Sequence, residues 1–214
     1  MKEHYNNLTL KSMFTLKYFL DTTNFIHPPE YLVKIDDDTY ANVPRLWKIL
    51  HDDEYSKVAN LLMGSLFSKP SPIKVSPKDA EKQYTAKWVC PKYMYDGKRY
   101  PQILSGSAYV MTRNTAKCLY RAGLQLPFFH LEDVFLTGFS AEACGIGTIF
   151  SFIVFGPIIN FSLSKYFFPE RKHHSGFKHM STKLKKVKST DIMVHYRDLK
   201  GKLEIYNSGK LKFT

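Results

Sequence analysis

Val33-Lys34-Ile35-Asp36-Asp37-Asp38-Thr39-Tyr40-Ala41-Asn42 is the stretch on which the fold turns. With Tyr31 and Leu32 in front, it predicts a short buried strand over residues 31–35. Three consecutive acids then stop the strand, because like charges at adjacent positions repel and cannot continue into a core. Asn42 before Pro44 marks the start of a helix, with Leu46, Ile49 and Leu50 on its apolar face. Hard oxygen donors at a strand end suit Mg²⁺ or Mn²⁺, which keep open positions for substrate phosphates. The same acids also read as a solvated turn, with Asp38 helping to cap the helix.

Working outward, residues 6–20 follow a helical spacing through Leu10, Met13, Phe14, Lys17, Phe19 and Leu20, with Asn7 or Thr9 as cap. Residues 58–67 and 108–111 predict strands, and residues 69–81, rich in Pro, Ser and Lys, a loop. Asn114 opens a short helix that Gly123 ends, and a further helix runs from Glu132 to Gly145. Residues 192–196 predict a last strand and 199–206 a closing helix. Helices alternate with strands, the pattern of an α/β sheet with helices on its faces, where ligands sit beyond the strands' carboxyl ends.

The composition bounds the partners without choosing one. Among 214 residues, Lys and Arg number 31 against 19 Asp and Glu, a formal charge of +12. That balance favours an anionic partner: nucleic acid, anionic lipid, acidic glycan or a phosphate-bearing substrate. No recognisable nucleic-acid module accompanies the charge. Cys90, Cys118 and Cys144 are too few for a disulfide scaffold and leave the redox compartment open. No apolar segment resembling a signal peptide follows Met1. The uncharged run at residues 143–164 is long enough to weigh as a membrane span, but Gly156-Pro157, Asn160 and its serines favour a helix end, a buried strand and a turn. Residues 165–188 are basic and read as a mobile surface segment.

Three further constellations carry chemistry. In His130-Leu131-Glu132-Asp133, the two acids fall in the first turn of a helix, where the macrodipole favours carboxylates. They read either as ordinary helix-start charge or as a general base beside an acceptor hydroxyl. In residues 87–110, Trp88, Tyr93, Tyr95, Tyr100 and Tyr109 flank a Tyr-Pro and a Ser-Gly turn, and form either a sugar-stacking surface or an aromatic core. His195, at the end of the last strand, is a structural histidine or a metal ligand.

Taken in order, these segments resemble the β-1,3-galactosyltransferase family, glycosyltransferase family 31. The resemblance lies in Tyr5-Asn6-Asn7-Leu8-Thr9-Leu10-Lys11, in the Val33 to Asn42 stretch, and in Lys87-Trp88. It continues through Tyr100-Pro101, Ser105-Gly106 and Tyr109-Val110 to Glu132-Asp133-Val134-Phe135-Leu136-Thr137-Gly138 and Val194-His195. It implies an α/β GT-A-like fold, truncated at its N-terminus by comparison with the family, which has an anchor, a stem and further strands. Residues 1–68 are then a nucleotide- and metal-binding part and 82–163 an acceptor-binding and catalytic part. Residues 164–190 are the basic segment and 191–214 a closing strand and helix.

The resemblance further implies inverting transfer of galactose or N-acetylglucosamine from a UDP-sugar to a glycan acceptor, in the Golgi lumen, with Mn²⁺ or Mg²⁺. Asp38 and His195 would ligate the metal, while Asp36, Asp37 and Lys34 would serve the donor nucleotide. Asp133 would be the base and Glu132 would orient sugar or base. Trp88, Tyr100, Ser105 and Gly106 would line the substrate. The alternative is a noncatalytic member of the same scaffold that binds anionic glycan or nucleotide through its basic surface.

Overall fold

Strand β1 (Tyr31–Ile35) forms where its β-branched and aromatic residues place it, and pairs antiparallel along its whole length with β4 (Ile103–Thr112). In the computed structural model the described residues are 4–22, 26–74 and 86–146, with short strands at 171–173, 177–179 and 193–195. The main sheet has the order β1-β4-β3-β5, where β3 is Leu62–Phe67 and β5 is Arg171–His173. Strands β1, β4 and β3 are mutually antiparallel, and only β5 joins in parallel, against β3. The alternation of helices and strands therefore corresponds to a mixed sheet with an antiparallel centre. A second sheet has the order β2-β7-β6, with β2 at Thr39–Ala41, β6 at Phe177–His179 and β7 at Met193–His195.

Each face of the main sheet buries its own core, as alternation along a strand requires. On one face Leu62, Leu104, Tyr109 and Met111 pack against α1 (Leu8–Asp21), α3 (Arg113–Gly123) and the helical segment that begins at Glu132. On the other face Met63, Ala108 and Val110 pack against α2 (Val43–Leu50) through Leu46, Ile49 and Leu50. Each fully buried Leu or Met contributes about 2 kcal/mol through apolar area removed from water. Helix α2 starts as its sequence predicts: Pro44 sits in the first turn, and the Asn42 side chain accepts the Arg45 N–H at 3.1 Å.

Several expectations are corrected. Helix α1 is present, but it buries Thr9, Leu16 and Phe19, while Leu10 and Phe14 face solvent. Thr9 does not cap; its hydroxyl donates to the Phe129 carbonyl at 2.8 Å, and Asn7 holds the cap position without a side-chain bond to the helix's first turn. The strand expected from residue 58 starts at Leu62, because Asp52 organises turns ahead of it by accepting the N–H groups of Glu54 and Tyr55. Ser105-Gly106 is no turn. It lies inside the ten-residue β4, where the register against β3 shifts between Gly64 and Leu66. Strands β5 and β6 lie within the segment expected to be mobile, residues 164–190. The apolar run and the closing helix fall outside the described residues, apart from residues 143–146 of the run. Among the described residues, no helix is long and apolar enough to cross a membrane.

Candidate active site

The site is built where β1 leaves the sheet and a helix arrives from the far side of β4. Lys34 lies opposite Tyr109 in the β1–β4 register, so both side chains point to the face that carries Glu132. The Lys34 ammonium donates to the Asp36 carboxylate and to the Gly106 carbonyl, and lies 4.0 Å from Glu132 Oε2. One cation thus joins the acidic turn to the acidic helix start.

The bulge in β4 makes this junction possible. Opposite β3, Gly64 pairs with Tyr109 and Leu66 with Leu104, leaving the residues between them out of that ladder. The Gly106 carbonyl turns to Lys34, and Gly106 packs against the two acids. A Cβ there would lie 3.4 Å from Asp133 Cβ and 3.5 Å from Glu132 Oε2. Gly64 allows the bulged strand to approach, since a Cβ at that position would stand 3.0 Å from the Ala108 carbonyl oxygen. Ser105 is buried, and its hydroxyl bonds that of Ser107 at 2.8 Å.

Glu132 and Asp133 are carried into this junction by a π-helix, Val134–Ser140, that continues into a short α-turn, Ala141–Ala143. The wider π turn is a form found at functional sites. Two residues dock it on β4. The Thr137 hydroxyl donates to the Asp133 carbonyl at 2.7 Å and accepts the Leu104 N–H at 2.9 Å. At Gly138 a Cβ would come within 3.0 Å of Ile103, so the helix can lie this close only without a side chain there. The Cys118–Cys144 disulfide ties the far end of this segment to α3, which settles a pairing that spacing left open; Cys90 is free and buried.

The two acids differ in surroundings. Glu132 is 6% exposed and accepts a hydrogen bond from the Tyr109 hydroxyl. Burial pushes its carboxyl up to about 7, against the opposing pull of Lys34 and of the Tyr109 and Ser12 hydroxyls. Tyr109 keeps its proton through burial, reinforced by the neighbouring carboxylate. Asp133 is more open to solvent, and its Oδ1 accepts the Val134 N–H at 2.8 Å. Burial raises its carboxyl too, offset by backbone hydrogen bonds and by Lys34.

On the other side of Lys34, Asp36 and Asp38 are partly exposed and Asp37 is exposed. The second sheet brings strand β7 to this turn, with His195 in register opposite Thr39, the residue after Asp38. Among the described residues, no group of three or more His, Cys, Asp or Glu side chains closes on one point. By residue type, Asp38 at the strand exit and His195 across the ladder from its neighbour are oxygen and nitrogen donors of the kind Mn²⁺ takes.

Of the aromatic residues expected at the substrate, Trp88 lies at the edge of the site and Tyr100 does not. The Trp88 indole donates to the Tyr5 hydroxyl at 2.6 Å. Tyr100 is 5% exposed, in a ring cluster with Tyr95, Phe129 and Phe139, and so belongs to the core. Tyr5, Ser12 and Thr137 also belong to the constellation. Tyr5 and Thr137 lie within the motifs that carry the family resemblance, whereas Ser12 has no such signal because the carboxylate it bonds, Glu132, lies on another element.

The comparisons with known proteins agree with the family resemblance. A family model described as galactosyltransferase matches residues 1–150. β-1,3-Galactosyltransferase 5 of Mus musculus is 31% identical over 135 residues, 63% of this chain and 40% of that protein. β-1,3-Galactosyltransferase 1 of Homo sapiens is 26% identical over 135 residues, 63% of this chain and 37% of that one. Lactosylceramide 1,3-N-acetyl-β-D-glucosaminyltransferase B of Danio rerio is 29% identical over 133 residues, 62% of this chain and 32% of that one. The matched segment therefore spans 40% or less of each of these relatives. With a matching model that covers well over half of its residues, this chain belongs to the galactosyltransferase family.

Proposed function

We propose that this chain carries the metal- and acceptor-facing part of an inverting hexosyltransferase of GT-A architecture. It moves galactose or N-acetylglucosamine from a UDP-sugar to a glycan hydroxyl, in a β-1,3 linkage, within the Golgi lumen. The observation that carries this reading is the bridge made by Lys34 between Asp36 and Glu132, which puts the acidic turn and the acidic helix start in one site. The names of the relatives, a galactosyltransferase and an N-acetylglucosaminyltransferase, support a hexose donor.

Each residue then has a task that follows from its surroundings. Asp133, the more open acid, takes the proton of the acceptor hydroxyl. The acceptor oxygen forms its bond to the sugar's anomeric carbon as the bond from that carbon to the diphosphate oxygen breaks on the opposite face. A single displacement inverts the centre, as in single-displacement glycoside hydrolysis. Glu132, held by Tyr109, Ser12 and Lys34, is too buried to meet the acceptor and orients Asp133 and Gly106 instead. Asp36 and Asp37 face the nucleotide. Asp38 and His195 would hold Mn²⁺ or Mg²⁺, which supplies Lewis-acid screening of the diphosphate charge.

Calorimetry of UDP and UDP-sugars with and without Mn²⁺ tests the reading. Mn²⁺-dependent UDP binding, abolished in Asp38→Ala, is the expected result. Equal binding by the two proteins would remove the metal assignment. Affinity for anionic glycans without any UDP binding would point to the noncatalytic alternative, which the charge of +12 keeps in play.

A further inference from the structure

The bond between Trp88 and Tyr5 joins residues 83 positions apart, and nothing in the proposed reaction uses Tyr5. Trp88 ends a single helical turn, Ala86–Trp88, a segment too short to hold a large side chain by backbone structure alone. A half-buried indole needs a partner for its N–H. Tyr5 supplies that partner from the turn just ahead of α1, whose position is fixed by Thr9 bonding Phe129 and by Leu16 and Phe19 in the core. The Lys87 ammonium lies over both rings, 5.0 Å from the Tyr5 centroid and 4.9 Å from that of Trp88. Both rings pack against the main core and stay partly exposed.

This pair stands at the margin of the carboxylates. Burial first, then the charges of Asp133, Asp36 and Glu132, push the Tyr5 phenol up to about 12, with the Trp88 bond opposing. Its oxygen accepts from the indole while its proton stays in place to be donated. An aromatic face with a hydroxyl donor at its edge suits a neutral sugar ring, whose C–H face stacks and whose hydroxyls accept.

We propose that Tyr5 is a positioning residue that fixes the Trp88 indole as a stacking platform for the acceptor's neutral hexose ring. This rests on the reading that Asp133 faces the acceptor. A Trp47→Phe background leaves Trp88 as the one tryptophan. Its emission is followed during titration with methyl β-galactoside and methyl β-N-acetylglucosaminide, and separately with UDP and Mn²⁺. At least one glycoside should change the emission saturably. Tyr5→Phe should weaken that response fivefold or more, and Tyr5→His, whose ring nitrogen can accept the indole N–H, should recover part of the loss. In transfer assays Tyr5→Phe should raise the acceptor KM while kcat and the donor KM stay within twofold. A glycoside affinity within twofold of the parent, or no saturable response from any glycoside, overturns the proposal. A glycoside response that survives while UDP and Mn²⁺ fail to bind overturns the transferase reading and leaves the platform standing. UDP and Mn²⁺ binding without a glycoside response does the reverse.

Discussion

Two acidic segments meet at Lys34, and they are nearly opposite in surroundings. Asp36, Asp37 and Asp38 sit on a turn where Asp37 is exposed and the other two are partly exposed, and Lys34 donates to Asp36. Glu132 and Asp133 sit at a helix start wedged between β4 and α1, where hydroxyls, backbone N–H groups and the same lysine surround them. Buried carboxylates resist ionisation, which raises their proton affinity. In the proposed reaction the acidic turn would hold the metal and Asp133 would take the proton, while Glu132, the one buried acid of the five, would orient its neighbour.

The contrast can be broken most sharply at Asp133. Asp133→Asn should leave UDP binding intact and lower the rate of transfer by about 10³-fold, the scale of a lost general base. Single-turnover transfer beside UDP calorimetry measures both, and equal turnover would remove Asp133 as the base.

The next largest effect concerns the scaffold that holds the buried pair. The disulfide closes a loop spanning 26 positions. Replacing Cys118 and Cys144 by Ser should cost about 3.5 kcal/mol on the chain-entropy scale. Denaturant unfolding should show the loss, while binding at the exposed acid turn changes little.

Glu132 gives a pH signature. Its folded carboxyl is raised from 4.5 to about 7, so the folded state holds its proton longer than the unfolded state. Stability should be fully present below the unfolded value and fall as pH rises toward the folded one, by about 3 kcal/mol in total. Asp133 shifts the same way and adds to the slope. Glu132→Gln should flatten that decline in a pH series of unfolding curves. An unchanged slope would mean that Glu132 is charged and well compensated.

The smallest effect belongs to the exposed turn. Asp37→Ala should change stability by no more than about 0.5 kcal/mol, as is usual for surface substitutions. A larger loss in thermal unfolding would show that the turn is structural and would narrow the contrast.

Much of this was legible along the chain. The span of strand β1, its acidic stop, and α2 with its Asn42 cap are local, so apolar runs, breakers and capping residues report them, but the burial expected of β1 is corrected, since Val33 and Ile35 are exposed. The start of the segment at Glu132 and the stop of α3 at Gly123 were legible for the same reason. Ser105-Gly106 misled because a turn and a bulge both select small residues, and only the pairing of β4 with two neighbours separates them. Tyr100 looked like a substrate contact because an aromatic run does not say which rings are inside. The face of α1 was misjudged because Leu10 and Phe14 match the helical period as well as Leu16 does.

By itself the sequence determined which residues carry charge, where strand β1 ends and helices α2 and α3 begin, and a family pattern spread over most of the chain. Those follow from steric, electrostatic and capping rules that act within a few residues. The tertiary structure decided which of those charges meet. Lys34 reaches Glu132 because β4 bulges at Gly106, and Thr137 and Gly138 let the π-helix dock there. Burial then sets Glu132 apart from the other four acids, and burial is a property of the packed chain that no single segment possesses.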